Sequence, residues 1–270
     1  MFRLKIAAIA LLLSASSLFA VETPIATILS YHEVVPGGVP PFKTHPPPGF
    51  PDVPTEADRY TLDTKDFTAQ LDFLDQNGYH VVPLADLVDY LKGSRADLPP
   101  RPVVITVDDG YLSTYKEIFP RMRERKLPFT FFIYPQIVNV GKNYVTWAQV
   151  IEMADAGVDI ESHTFTHALL TLQMHKDFTA EDYAQFLRHE LLDSKTLIEA
   201  KTGKPVRFIA YPYSNVDFAV QRAARQYGYE GALYDQMTKA FIKPSTSPMS
   251  LVRFPILHDT SLDQFKAALP

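Results

Sequence analysis

Two kinds of apolar pattern alternate along this chain. Short runs rich in β-branched and aromatic residues read as strands: "ATILSYH", "YHVVP", "VVITVDDG", "FTFFIYP", "VDIESH", "RFIAYP", "GALYD" and "LVRFPI". Between several of them lie stretches of helical period, as in Phe67, Leu71 and Leu74, or Leu84, Leu87, Val88 and Leu91. Further on, "AEDYAQFLRHELLDSKTLIEAKTG" reads as a long helix closed by Gly203, and "VQRAARQYG" as another closed by Gly228. Strands that alternate with helices in this way predict parallel βα units in a single α/β domain. The simplest arrangement is a (β/α) barrel of about seven parallel strands, with an open doubly wound sheet as the alternative. Both place a functional site at the carboxyl ends of the strands.

One segment breaks the rhythm. Residues 36–54, "PGGVPPFKTHPPPGFPDVP", hold eight of the 22 prolines, which rules out helix or inner strand there. A stiff surface loop is the plain reading. Because it follows His32 directly, it is also a candidate wall for a substrate groove. The first 20 residues, "MFRLKIAAIALLLSASSLFA", place Arg3 and Lys5 before a short apolar run and small residues. That is the pattern of a signal peptide, since the run is well short of the roughly 20 residues a spanning helix needs. Residues 1–20 are therefore expected to be removed, leaving residues 21–270 as one domain, exported to the periplasm or secreted and free of the membrane after cleavage, with a retained membrane anchor as the bland alternative.

Composition is ordinary for a globular protein, at 46% hydrophobic and 21% charged residues. The net charge of −5, made more negative by loss of Arg3 and Lys5, argues against a nucleic-acid partner. Cysteine is absent, so any metal site must use histidine and carboxylates.

Candidate chemistry gathers at strand ends. "VVITVDDGY" ends a buried-strand run in Asp108 and Asp109, adjacent carboxylates that repel each other unless cations or hydrogen bonds compensate. Side chains of neighbouring residues diverge, so one acid can bind a metal while the other faces substrate. A solvated Asp-Asp-Gly turn is the bland alternative. "IESHTFTHALL" places His163 and His167 four apart just past a strand, where a helical turn would put both imidazoles on one face. Two histidines and one aspartate suit a catalytic metal with positions left for water and substrate. His32 ends the first strand run, in "SYHEVV", and is either a packing residue or part of the same centre.

"TVDDGY", "SHTFTH" and "AYPY", in this order, resemble the NodB-homology polysaccharide deacetylases, carbohydrate esterase family four. The likeness runs over nearly the whole of residues 21–270 and includes "GYHVVPLADLVDYL" and "TWAQVIEMADAGVDIESH". It is greatest toward the permuted branch that acts on poly-β-1,6-N-acetylglucosamine of biofilm matrices, in which the catalytic histidine lies near the N-terminus in a "YH" segment. The resemblance implies a distorted barrel. It also implies metal-dependent hydrolysis of N-acetyl groups on an N-acetylglucosamine polysaccharide. Asp109, His163 and His167 match the metal ligands, and Asp108 the general base. His32 matches the acid that protonates the leaving amine, and Tyr213 the residue whose backbone N–H helps hold the oxyanion. Amide hydrolysis needs each part: an activated water, fixed donors for the tetrahedral oxyanion, and a proton for an amine that otherwise leaves poorly. Zn2+ fits the ligand set, and Co2+, Ni2+ or Fe2+ bind similar ligands.

The chain departs from the family pattern in three places. Ala210 stands where an arginine often precedes the "PY" motif, and Arg253 in "LVRFP" resembles an arginine of the permuted branch that would steady Asp108 instead. Ser214 replaces the usual glycine after "PY", and Val107 a phenylalanine. His258, in "PILHD", is the runner-up acid. Tyr111, Trp147, Tyr134 and Tyr213 could offer sugar-stacking faces, with core packing the alternative for each. His45, His80, His175 and His189 have no supporting context. Two further readings remain open: a deacetylase of chitin oligomers or peptidoglycan, and a non-catalytic carbohydrate-binding relic.

Overall fold

The computed structural model describes residues 22–38, 59–238 and 240–270. The expected signal segment, His45 and most of the proline-rich stretch lie outside the described residues. All eight expected strand runs form strands: β1 (Ala26–Tyr31), β4 (His80–Val81), β5 (Pro102–Val107), β6 (Thr130–Ile133), β7 (Asp159–Ser162), β8 (Phe208–Ala210), β9 (Gly231–Asp235) and β11 (Leu251–Pro255). Three more are short: β2 (Glu33–Val35) pairs with β3 (Thr61–Asp63), and β10 (Phe241–Ile242) runs antiparallel to β1.

Seven parallel strands follow the order β1, β11, β9, β8, β7, β6, β5, and the ring closes because β5 pairs back onto β1. Closure is uneven. Against β1, β10 takes Ala26 and Thr27 while β11 takes only Leu29 and Ser30. Against β5, β4 takes Pro102 and Val103 while β6 takes Thr106 and Val107. The barrel is thus splayed at its amino end, where β4 and β10 fill the gaps, and tight at its carboxyl end. This is the distorted (β/α) barrel expected from the sequence.

The side-chain period of two explains what the barrel encloses. Ile28, Val104, Leu233 and Leu251 belong to a buried apolar cluster with Phe132, Phe208 and Ala210. Two residues further along the same strand faces come Ser30, Thr106, Asp235 and Arg253, all toward the carboxyl end. An apolar plug therefore gives way to a polar layer.

Helices surround the barrel: α1 (Thr64–Gln76), α2 (Leu84–Leu91), α3 (Phe119–Glu124), α4 (Trp147–Asp155), α5 (Ala180–Leu187), α6 (Ser194–Thr202), α7 (Phe218–Gln226) and α8 (Leu262–Ala267). Phe67, Leu71 and Leu74 are the buried stripe of α1, as their spacing predicts, and Asp63 caps its N-terminus by accepting from Lys65 N. The expected long helix is α5 and α6 joined by a π-helical turn, Arg188–Asp193, and Gly203 closes it in the left-handed conformation at φ 68°. Among the described residues no helix is long and apolar enough to cross a membrane.

Candidate active site

The chain turns sharply as β5 ends. Asp109 and Gly110 are both left-handed, at φ 75° and 77°. A Cβ on Gly110 would come within 3.1 Å of Ile137 Cγ2 and press on that side chain, in addition to the strain of the left-handed backbone. The turn sends the two carboxylates apart. Asp108 stays in the polar layer of the barrel interior, and Asp109 faces His163 and His167.

Asp108 is buried and accepts two hydrogen bonds from Arg253, Nη1 to Oδ1 at 2.8 Å and Nη2 to Oδ2 at 2.7 Å. Arg253, 1% exposed, also donates from Nε to Asp235 Oδ1 at 2.8 Å and from Nη1 to Thr106 Oγ1 at 3.2 Å. Register makes this possible, because β11 sets Arg253 opposite Asp235 of β9. Burial alone would push the Asp108 carboxyl up. The Arg253 guanidinium, with His163 and His32 nearby, outweighs that and holds it below the usual carboxylate range.

Asp108 N donates to Tyr31 O at 3.0 Å, which ties the end of β5 to the end of β1 and brings His32 alongside. His32 Nε2 lies 4.0 Å from Asp108 Oδ2, and Tyr60 covers its ring at 4.4 Å between centroids. His258 is more open to solvent. It is 53% exposed at the side chain, and its Nδ1 lies 3.3 Å from Arg59 O.

His163 and His167 converge, but not on a helical turn. Their linker is a loop in which Thr164 and His167 are left-handed at φ 67° and 63°. His163 Nδ1 donates to Ala210 O at 2.8 Å, which leaves Nε2 as the acceptor facing Asp109. His163 Nε2 and His167 Nε2 lie 3.5 and 3.2 Å from Asp109 Oδ1, a buried atom that makes no hydrogen bond. Edges of this length are close to the roughly 3.3 Å expected between ligand atoms bound at about 2.0 Å around a tetrahedral cation. One carboxylate oxygen and two imidazole nitrogens, all within 4.8 Å of one another, therefore fit a borderline divalent ion. Burial would raise the Asp109 carboxyl, but His163 and His167 hold it well below the ordinary range, in the form a metal requires.

Tyr213 follows β8 at φ 55°, is 66% exposed, and has its ring 4.7 Å from that of His167. Ser214 is also left-handed, at φ 55°, the conformation the usual glycine would adopt freely. Its hydroxyl compensates by accepting from Asp235 N at 2.9 Å and donating to Asp235 O at 3.1 Å. Tyr134 lies 5.0 Å from His167 between ring centroids, and Tyr111 stacks on Tyr144 at 5.5 Å. Burial, then Asp109, raises the Tyr111 hydroxyl well above its ordinary range, which keeps that phenol neutral beside the carboxylate.

Trp147 opens α4 half-buried against the core, with Lys201 Nζ 5.9 Å from its ring. Asp235 and Tyr60 were not anticipated. Asp235 carries the same mark as Asp108, a carboxylate ending an apolar strand in "GALYD". Tyr60 has no local signal, because its place over His32 arises from chain return.

A closed parallel barrel sets a buried, arginine-held carboxylate beside a convergent Asp–His–His set, an arrangement that can pair a base with a divalent cation. The chain belongs to the polysaccharide deacetylase family, whose sequence model matches residues 95–232. Protein YxkH of Bacillus subtilis (strain 168) is 28% identical over 166 residues, covering 62% of this chain and 56% of its own. The poly-β-1,6-N-acetyl-D-glucosamine N-deacetylase of Escherichia coli (strain K12) is 24% identical over 194 residues, covering 60% of this chain and 29% of its own. The chain thus spans less than two thirds of the length of these relatives. Among solved structures, a de-N-acetylase from Aggregatibacter actinomycetemcomitans superposes with a TM-score of 0.74 at 23% identity, covering 90% of this chain and 99% of that one. That likeness establishes the shared fold.

Proposed function

We propose that this chain hydrolyses N-acetyl groups from N-acetylglucosamine units of a polysaccharide, with poly-β-1,6-N-acetylglucosamine of a biofilm matrix as the leading substrate. One arrangement carries the reading. Asp108 Oδ2 lies 4.0 Å from His32 Nε2 and 3.9 Å from His163 Nε2, so a fixed carboxylate sits between a candidate acid and the ligand set. Asp109, His163 and His167 would hold a divalent cation, Zn2+ first and Co2+, Ni2+ or Fe2+ as alternatives, and that ion supplies a Lewis acid and lowers the pKa of water.

This chain's residues supply the rest. Asp108 accepts the proton of the attacking water while Arg253 keeps it ionised and aimed. His32 Nε2 delivers a proton to the departing nitrogen, so the C–N bond breaks to free amine and acetate. The backbone N–H of Tyr213, at the bend beside His167, is the candidate oxyanion donor. Tyr111, Tyr134 and Tyr213 offer aromatic faces for sugar rings around the centre. The name of the Escherichia coli relative supports the β-1,6 linkage. The pattern of residues 1–20 supports export to the periplasm or beyond.

The test is acetate release from β-1,6-linked N-acetylglucosamine oligomers beside chitin oligomers and peptidoglycan fragments, with Asp108→Asn as the control. Release favouring the β-1,6 series supports the full proposal. Release only from chitin or peptidoglycan overturns the substrate and keeps the chemistry. Glycan binding without release from any substrate would mean a carbohydrate-binding relic.

A further inference from the structure

The linker between His163 and His167 does not hold its own shape. Thr164 and His167 occupy the left-handed region, where a residue other than glycine costs of order 1–3 kcal/mol and persists only if its surroundings impose it. Within the linker, His167 N donates to Thr164 Oγ1 at 3.1 Å, which leaves the intervening backbone to be held from elsewhere.

Gln136 N donates to Phe165 O at 3.1 Å, and further outside bonds come from the neighbouring helix, most of them from one side chain. Glu190, 1% exposed, accepts at Oε2 from Phe165 N at 3.0 Å and Thr166 N at 2.9 Å, and at Oε1 from Thr166 Oγ1 at 2.7 Å. All three donors lie between the two histidines. Ser194, one turn along, adds a bond from its Oγ to Thr164 O at 2.8 Å. Glu190 sits on the π-helical turn Arg188–Asp193, a kind of interruption frequent at functional sites. The turn and α6 thus present Glu190 and Ser194 together to the linker.

We propose that Glu190 is the positioning residue of the ligand loop: it presets the separation of His163 and His167 and so sets the affinity for the divalent cation, touching neither cation nor glycan. A carboxylate suits the task because it accepts several hydrogen bonds at once and has no donor to turn against two backbone N–H groups. The inference rests on the metal reading of Asp109, His163 and His167.

Zinc affinity, measured by competition with a chromophoric chelator, tests it alongside the melting temperature of the chelated protein. Glu190→Ala is expected to weaken zinc binding roughly 10–100-fold, the usual effect of removing an outer partner of a metal site, and Glu190→Gln less. Glu199→Ala is the control. Glu199 likewise accepts from a backbone N–H, that of Val206 at 2.9 Å, but on a loop remote from the ligands, so its loss should lower the melting temperature and leave zinc affinity unchanged. Should Glu190→Ala fail to fold, Thr166→Val removes a single bond to Glu190 and should weaken zinc binding several-fold. Affinity within twofold of wild type in the folded Glu190→Ala protein, or in Thr166→Val if that alone folds, overturns the proposal. Absence of zinc binding by the wild-type protein would instead remove the metal reading on which it stands.

Discussion

Arg253 and Asp108 stand 145 residues apart in the chain and meet in a two-pronged pair inside the barrel, at 2.8 and 2.7 Å. The arginine comes from the last barrel strand, while the family pattern more often places one at the position occupied here by Ala210. Burial opposes ionisation of Asp108, and Arg253 is the foremost group opposing burial.

Arg253→Met should therefore raise the Asp108 pKa, because desolvation would act with its main counterweight removed. The ionised fraction of the base falls first at low pH, so the acid limb of kcat/KM moves to higher pH. A pH–rate profile checks this, and an unmoved limb with reduced kcat would assign Arg253 to packing alone. The variant also leaves Asp108 and Asp235 without their shared cation, a loss of about 3–5 kcal/mol of stability by comparison with other broken buried pairs.

His32 and His258 separate cleanly. His32→Ala should lower kcat by roughly 10²-fold or more, the scale of a lost general acid, and His258→Ala should leave it within about twofold. Steady-state rates of the two variants on one oligomer decide the matter. The reverse order would mean that His258 is the acid despite its exposed side chain.

Ser214 joins the strained loop to Asp235. Ser214→Gly removes both strain and hydrogen bonds, so its stability should stay within about 1 kcal/mol of wild type. Ser214→Ala keeps the left-handed backbone and loses the bonds, at a cost of about 1–3 kcal/mol. Chemical denaturation measures both. Equal losses would mean that φ at this position carries no strain.

At the amino end of the barrel, Glu230 is held by Arg207 and Lys92, and its pKa falls from 4.5 to about 2. A depressed carboxylate stabilises the fold above its unfolded value, near 4.5, and loses that contribution as the pH drops toward 2. Because the side chain is 36% exposed, the full shift does not reach stability, and less than about 1 kcal/mol is expected. Glu230→Gln should thus lower the melting temperature slightly at pH 7 and not at pH 2. An equal drop at both would show that the ionised form is not what matters.

The eight strand runs and the α1 stripe were legible because each is a local period. The same holds for Asp108, Asp109, His163 and His167, which lie in two short segments at strand ends. What was not legible depends on long-range register or on backbone conformations without a local mark. The pairing of Arg253 with Asp235 follows from which strands become neighbours. The loop joining His163 and His167 was expected as a helical turn, but its shape comes from two left-handed residues and the grip of Glu190, 23 or more residues further on.

The most direct test of the account is acetate release from a β-1,6-linked N-acetylglucosamine oligomer by chelated protein, before and after adding zinc, cobalt or nickel, with Asp109→Ala in parallel. The account predicts no release after chelation, recovery with added cation, and no recovery in the variant. Undiminished release by the fully chelated protein, or by Asp109→Ala, would contradict it.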